Sequence, residues 1–317
     1  MRDALLIFFA TLVLGIVLTK LLIPVLRRMK MGQTTLENAL SWHSGKSGTP
    51  TMGGLVFVPA ICCGLWGGVT KEKVFILLCG LLFCLIGILD DGIKIAKKRN
   101  MGLTSIQKFS LQILASLSLA LMLRYVLQVQ NVWIPFLGDM NFGALFIPFV
   151  MVFFLAVTNS VNLTDGLDGL ATSTGFINAV FLAVVAFVLL ENQATGQMML
   201  ALCAMLLAFF MFNHHPAKVF MGDTGSLCLG GLLAGAAAVM HMEVALIVTG
   251  IWFVIETASV IIQTMSFRIS KKRFFKMSPF HHHLELCMWK ETKIVFLACV
   301  ITALASAVMY LILYHIL

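Results

Sequence analysis

Charge is scarce in this chain: Asp, Glu, Lys and Arg make up 11% of its 317 residues, against about 25% in an ordinary soluble domain. Hydrophobic residues reach 60% and the mean hydropathy is +0.99, more apolar surface than one core of this size can hide. A large soluble domain and a disordered chain are excluded. The eight cysteines lie mostly inside apolar stretches without metal-like spacing, which excludes a disulfide-stapled secreted module and leaves packing as their role. No internal repeat or low-complexity segment stands out. There is no G-x-x-x-x-G-K phosphate loop and no H-E-x-x-H helix, so the two commonest short signatures of nucleotide and zinc chemistry are missing.

What remains is a run of apolar segments, near residues 4–26, 52–70, 73–90, 106–128, 143–160, 170–190, 196–212, 225–242, 244–266 and 293–315. At about 20 residues per crossing, they predict an all-α polytopic membrane protein of about ten transmembrane helices, organised as one domain over residues 1–317. The first segment is too long for a signal peptide and has no small-x-small cleavage site before Lys20. Of the 22 basic residues, 17 fall in or beside the loops after segments 1, 3, 5, 7 and 9, and four on the opposite side, with Lys20 inside segment 1. By the positive-inside rule the first set is cytoplasmic and both termini lie outside. The net charge of +8 is then a topology signal or a response to an anionic ligand, and no nucleic acid partner is expected.

Carboxylates sharpen this picture. Asp90, Asp91, Asp165, Asp168 and Asp223 stand at three segment ends that the topology brings to one face. Hard Mg²⁺ takes oxygen ligands, usually one or two carboxylates plus substrate phosphate. In LDDGIK, Lys94 is i+4 from Asp90 and i+3 from Asp91, so a continuing helix pairs them. The two aspartates point about 100° apart, and a helix-end ion pair is the alternative reading. In NLTDGLDGL, Asn162, Asp165 and Asp168 share a stripe if the segment is helical, and Gly166 and Gly169 allow close approach to the backbone. In Asn213–Ser226, Asp223, Thr224 and Ser226 either cap the next helix or offer a metal ligand and free N–H groups for phosphate, with Phe220 as a stacking surface. Adjacent His281, His282 and His283 cannot easily share one zinc. They suit donation to substrate phosphate beside Arg268, Lys271, Lys272, Arg273 and Lys276, or contact with anionic lipid.

GTPTMGG (Gly48–Gly54), LDDGIK, NLTDGLDGL, FMGDTGS and PFHHHLEL, in this order between the apolar segments, resemble the phospho-N-acetylmuramoyl-pentapeptide transferases, within the polyprenyl-phosphate N-acetylhexosamine-1-phosphate transferases. The resemblance covers nearly the whole chain. It implies transfer of phospho-MurNAc-pentapeptide from UDP-MurNAc-pentapeptide to undecaprenyl phosphate, giving lipid I and UMP with Mg²⁺ as cofactor, in the first membrane step of peptidoglycan synthesis. It also implies a multi-pass protein of the bacterial plasma membrane in contact with membrane lipid, a homodimer, and a uridine site at which nucleoside antibiotics compete. By the same resemblance Asp90, Asp91, Asp223 and His281 take catalytic positions, with Asp223 binding Mg²⁺ and Asp91 a second candidate ligand. Lys46, Thr51, Lys94, Asn162, Asp165, Gly166, Asp168, Asn213, Phe220, Gln263, His282 and His283 then line the substrate cleft. Local sequence departs from the family at Ala39–His43, Gly92–Ile93 and Cys287–Trp289. A sister GlcNAc-1-phosphate transferase shares the aspartate motifs, and the histidine run followed by Trp289 and Glu291 argues for the muramoyl enzyme.

A phosphate monoester is mostly ionised at neutral pH, so the chief obstacle is bringing one anion to another. Direct in-line attack needs no enzyme nucleophile and is favoured by this argument. A covalent aspartyl-phosphate route through Asp90 or Asp91 is the other possibility.

Overall fold

In the computed structural model, which describes residues 2–29, 48–97 and 101–316, the first apolar segment is one helix, α1 (Arg2–Arg28). Its buried face repeats every four residues, Ile7, Thr11, Gly15, Thr19 and Ile23, while Leu5, Phe9, Val13, Val17, Leu21 and Val25 are exposed. An exposed row of that kind forgoes roughly 1.5–3 kcal/mol per side chain in water, so it belongs against lipid.

After α1 come a short helical stretch, Gly53–Leu65, centred on α2 (Phe57–Ile61), then α3 (Lys71–Ala96) and α4 (Ser105–Tyr125). An antiparallel hairpin of β1 (Asn131–Ile134) and β2 (Gly138–Asn141) leads to α5 (Phe146–Thr164). The chain continues through α6 (Leu170–Val184), α7 (Gln193–Asn213), α8 (Gly222–Val239), α9 (Glu243–Thr249), α10 (Ile251–Ser270), α11 (Phe280–Leu286) and α12 (Glu291–Ile316). The fold is an all-α polytopic membrane protein. Every one of the ten apolar segments is helical, but only eight helices among the described residues are unbroken and long enough to cross a membrane, or nine if α9 and α10, bent by 79°, form one span. The segment expected at 52–70 is short because its helical stretch ends at Trp66, whose backbone turns extended. There Lys73 Nζ, from the first turn of α3, donates to the Trp66 carbonyl at 2.9 Å.

The centre of the bundle is α8, buried at every residue from Thr224 to Val239. Its Gly- and Ala-rich sequence explains this position: small side chains let α3 and α5 come close, and close van der Waals approach is what drives helix association in lipid. Polar pairs fix the register inside the bundle. Gln112 and Asn159 exchange hydrogen bonds between α4 and α5 at 3.3 and 2.9 Å, and Thr249 Oγ1 donates to Asn178 Oδ1 at 2.7 Å. This packing gathers the C-terminal ends of α3, α5 and α7 and the N-terminal ends of α4, α6 and α8 at one end of the bundle. The β-hairpin, joined to the α8–α9 turn by Trp133 N–H to His241 O at 3.2 Å, lies at the other.

Candidate active site

The last turns of α3 carry Asp90 and Asp91, both almost fully buried, and the first turn of α8 carries Asp223. The i,i+3 and i,i+4 spacing puts Lys94 over the aspartate pair: Lys94 Nζ is 2.7 Å from Asp90 Oδ2 and 3.3 Å from Asp91 Oδ1. The packing of α3 on α8 adds the third carboxylate, with Asp223 Oδ2 at 2.7 Å from the same ammonium. Lys108, one turn into α4, reaches Asp223 Oδ2 at 3.0 Å. Two ammonium groups therefore face three carboxylates.

The three aspartates are held differently. Asp91 Oδ2 accepts both the backbone N–H and the hydroxyl of Thr224, at 2.9 and 2.8 Å. Asp90 Oδ1 accepts the Leu103 N–H at 2.9 Å. Asp223 Oδ1 accepts from Asn162 Nδ2 at 2.7 Å, and that amide also donates to Ser226 Oγ at 2.8 Å. The Asp223 side chain is 16% exposed, against 5% and 3% for Asp90 and Asp91, so Asp223 is the carboxylate presented to an incoming ligand. No side chain caps the start of α8; Asp223 and Thr224 are spent on these contacts, and Ser226 donates back to Gly222 O at 2.9 Å. Gly222, at φ +70°, sits where a Cβ would come 2.7 Å from both Asp91 Oδ2 and Thr51 Oγ1, a backbone state and a space that only glycine fits. Main-chain bonds from Phe220 N to Pro50 O (2.8 Å), Gly53 N to Phe220 O (2.8 Å) and Gly54 N to Met221 O (3.0 Å) dock the GTPTMGG strip on FMGD. Thr51 and Phe220 thus lie beside the carboxylates.

The stripe expected from Asn162 to Asp168 is not formed. α5 ends at Thr164, where Asp165 leaves helical geometry at φ −79°, ψ +46°, and the chain turns through 165–169 before α6 starts behind Gly169, left-handed at φ +77°. Asn162 turns to Asp223, while Asp168 meets a different group. His215 Nδ1 lies 3.1 Å from Asp168 Oδ2 and 3.3 Å from Glu291 Oε2, the Asp168 N–H donates to Glu291 Oε1, and the Ala217 N–H donates to Asp168 Oδ2 at 3.0 Å. Between the two clusters Asp165 is half-buried, with no hydrogen-bond partner for its carboxyl among the described residues. Burial, then the charges of Asp223, Asp91 and Asp168, push that carboxyl well above its ordinary value of 3.8. Gly166 packs flat on His281, whose Nε2 a Cβ would overlap.

The three histidines diverge. His281 is buried, its Nδ1 3.1 Å from Glu256 Oε2, which also accepts the His281 N–H at 3.2 Å. His282 Nδ1 pairs with Glu285 Oε2 at 2.7 Å. His283 Nδ1 accepts the Lys276 N–H at 3.2 Å, and its ring stacks on Phe280. Gln263 serves the loop after α10: its Oε1 accepts the Phe274 and Phe275 N–H groups at 3.1 and 2.9 Å. Asn213 is buried, its amide joined to Thr172 Oγ1 (2.6 Å) and Val219 O (3.0 Å). Lys46 and Ala39–His43 lie outside the described residues.

Sequence reading missed Lys108, Thr224, His215 and Glu256 as members of these networks. Lys108 carried a usable signal, a lysine one turn into an apolar helix. The others meet their partners only through tertiary folding, Thr224 with Asp91 across 133 residues and Glu256 with His281 across 25.

Chemically, Asp90, Asp91 and Asp223 can each offer an oxygen within 4.8 Å of the others. An all-oxygen carboxylate set suits a hard divalent cation such as Mg²⁺ rather than a soft metal. With Lys94 and Lys108 alongside, the site is fitted to polyphosphate.

Comparison with known proteins agrees with this chemistry. The profile of Glycosyl transferase family 4 matches residues 74–241, and that of phospho-N-acetylmuramoyl-pentapeptide-transferase signature 1 matches residues 46–58. Proteins named phospho-N-acetylmuramoyl-pentapeptide-transferase are similar along nearly the whole chain. The one from Clostridium perfringens strain 13 is 45% identical over 290 residues, 90% of this chain and 91% of the relative. Those from Clostridium beijerinckii and Heliobacterium modesticaldum are 44% and 43% identical, covering 93% and 91% of this chain and the same shares of their own lengths.

Proposed function

The chain belongs to the phospho-N-acetylmuramoyl-pentapeptide-transferase family, and on that premise we propose that it moves phospho-MurNAc-pentapeptide from UDP-MurNAc-pentapeptide to undecaprenyl phosphate, releasing UMP and forming lipid I. The observation that carries this reading is the convergence of Asp90, Asp91 and Asp223 with Lys94 and Lys108 at one end of a lipid-facing bundle.

The acceptor phosphate is already ionised, so its oxygen attacks the sugar-linked phosphorus directly. The bond from that phosphorus to the bridging oxygen breaks, and the electron pair leaves with UMP. Lys94 and Lys108 draw both anions into one place and offset their repulsion, the kind of positioning and charge stabilisation on which phosphoryl transfer depends. Asp223, with Asp91 beside it, would hold Mg²⁺, and the chemistry such an ion would supply there is neutralisation of phosphate charge. Asn162, through its bond to Asp223 Oδ1, keeps that carboxylate aimed at the cleft. Thr51, Asp165, Gly166, Asp168, Phe220 and the histidine segment bound the donor, while Asn213 and Gln263 act from behind by holding the Val219 and Phe274–Phe275 backbone.

The 17-to-4 split of basic residues supports a cytoplasmic active site with both termini outside. The segment from Glu256 to His283 forms the lateral wall for the polyprenyl chain: Phe267, Ile269 and Phe274 are exposed among Arg268, Lys271, Lys272 and Arg273, a pattern suited to an interfacial helix. By family resemblance the protein is a homodimer, and nucleoside antibiotics compete at its uridine site. The test is UMP release by purified protein with and without Mg²⁺, offered UDP-MurNAc-pentapeptide or UDP-GlcNAc with polyprenyl phosphate. Release restricted to the muramoyl donor and dependent on Mg²⁺ is expected. Release with UDP-GlcNAc alone would reassign the chain to the sister activity.

A further inference from the structure

Lys94 occupies an unusual position. Its ammonium has three N–H donors and lies within 3.3 Å of three carboxylates from two helices: Asp90 Oδ2 at 2.7 Å, Asp91 Oδ1 at 3.3 Å and Asp223 Oδ2 at 2.7 Å. Lys108 touches only one of the three. Lys94 therefore stands where the three oxygen atoms converge, the place a divalent cation shared among them has to take. Mg²⁺ demands oxygen atoms at about 2.0–2.1 Å, and a like-charged ammonium cannot stay on the same oxygens. One of the two cations has to leave.

The side chain is able to do so. Lys94 lies in the last turns of α3 and its side chain is 31% exposed, on a flexible four-carbon stem, so it can swing into the cleft without moving the helix. In leaving it loses three anionic partners. A diphosphate is the ligand that returns oxygen partners to an ammonium at that place.

We propose that Lys94 is the displaceable counter-ion of the carboxylate cluster, and that its move from the carboxylates to the donor's diphosphate couples cation binding to donor binding. This deepens the reading of the site as a magnesium-dependent phospho-sugar transferase and rests on it. Without donor, Lys94 competes with the cation and holds its affinity down. With donor, the displaced ammonium has a new partner and the competition is relieved. Linkage makes the effect reciprocal, and coupling between two sites usually spans about 5- to 150-fold in affinity. Lys94 is a positioning residue in this role, since it acts on where the cation and the diphosphate come to rest.

The experiment measures Mn²⁺ binding to the full-length, detergent-purified protein by electron paramagnetic resonance, with and without UDP and after correction for Mn²⁺ held by free UDP. Mn²⁺ serves as the spectroscopic probe. Wild type should bind it weakly alone and at least about 5-fold more tightly with UDP. In Lys94→Met, Mn²⁺ should bind at least about 5-fold more tightly than to wild type without UDP, and the gain from UDP should shrink. Lys94→Arg, which keeps the charge, should keep the weak affinity. Should Lys94→Met fail to fold by thermal unfolding, the wild-type comparison still decides, because an affinity indifferent to UDP refutes the coupling. If Lys94→Met binds no more tightly than wild type while Asp223→Asn abolishes binding, the metal site stands and the role of Lys94 falls. If wild type binds no Mn²⁺ with or without UDP, the metal reading itself falls and takes this inference with it.

Discussion

Thr224→Val is the sharpest test of how the carboxylate cluster is built. Thr224 is fully buried, and its hydroxyl donates to Asp91 Oδ2 at 2.8 Å, beside its own N–H at 2.9 Å. Valine has nearly the same shape, so the change removes one donor and leaves almost no cavity. A hydrogen bond to a charged group contributes about 1.5–3 kcal/mol, and Asp91 keeps two other donors, the Thr224 N–H and Lys94. If the whole loss falls on the site, the turnover rate drops by about 10- to 160-fold at 1.36 kcal/mol per tenfold. Thr224→Ser keeps the hydroxyl and removes one methyl, about 0.8 kcal/mol of burial, so its rate should stay within about fourfold of wild type. UMP release under saturating substrates, with thermal unfolding of each variant alongside, separates the effects. Equal rates for the valine and serine variants would refute the idea that Asp91 is held as a charged acceptor by this hydroxyl.

Four other changes probe other parts of the site. Asp223→Asn preserves shape and removes charge, and should cut UMP release by about 100- to 1000-fold; near-wild-type activity at limiting Mg²⁺ would dismiss Asp223 as the metal ligand. Gly166→Ala has no room against His281 and should destabilise by about 1–3 kcal/mol, seen as a lower unfolding midpoint; an unchanged midpoint would mean that the His281 contact yields freely. The raised Asp165 carboxyl makes the folded protein bind more protons than the unfolded chain from pH 3.8 upward, so this group lowers stability as pH rises through that window. In chelator, wild type should therefore lose more stability between pH 5 and 8 than Asp165→Asn, and parallel pH profiles would contradict the shift. Replacing Phe274 with Ser should weaken use of long-chain acceptors more than short ones, and equal losses would move the acceptor route elsewhere.

The membrane fold and the outline of the site could be read from the chain because their causes are local. Hydropathy sums along a segment, so each of the ten apolar stretches announced a helix, and the pairing of Lys94 with Asp90 and Asp91 follows from helical spacing alone. Where two neighbouring signals compete, local reading failed. A turn beginning at Asp165 broke the stripe from Asn162 to Asp168 and sent its ends to different partners, the segment at 52–70 stopped short at Trp66, and four-residue strands are too brief for a period to show. Only the packing of α8 against α3 and α5, with α4 lying on both of those, brought Asp223 to Lys94 and Lys108, Thr224 to Asp91 and Asn162 to Asp223. It likewise took folding of the loops to seat His215 between Asp168 and Glu291, and His281 on Glu256. A residue's tendency to enter a helix or a bilayer is a property of its neighbours in sequence, whereas the partner of a buried charge is chosen by whichever elements close packing brings within about 3 Å, and residues far apart in the chain decide that together.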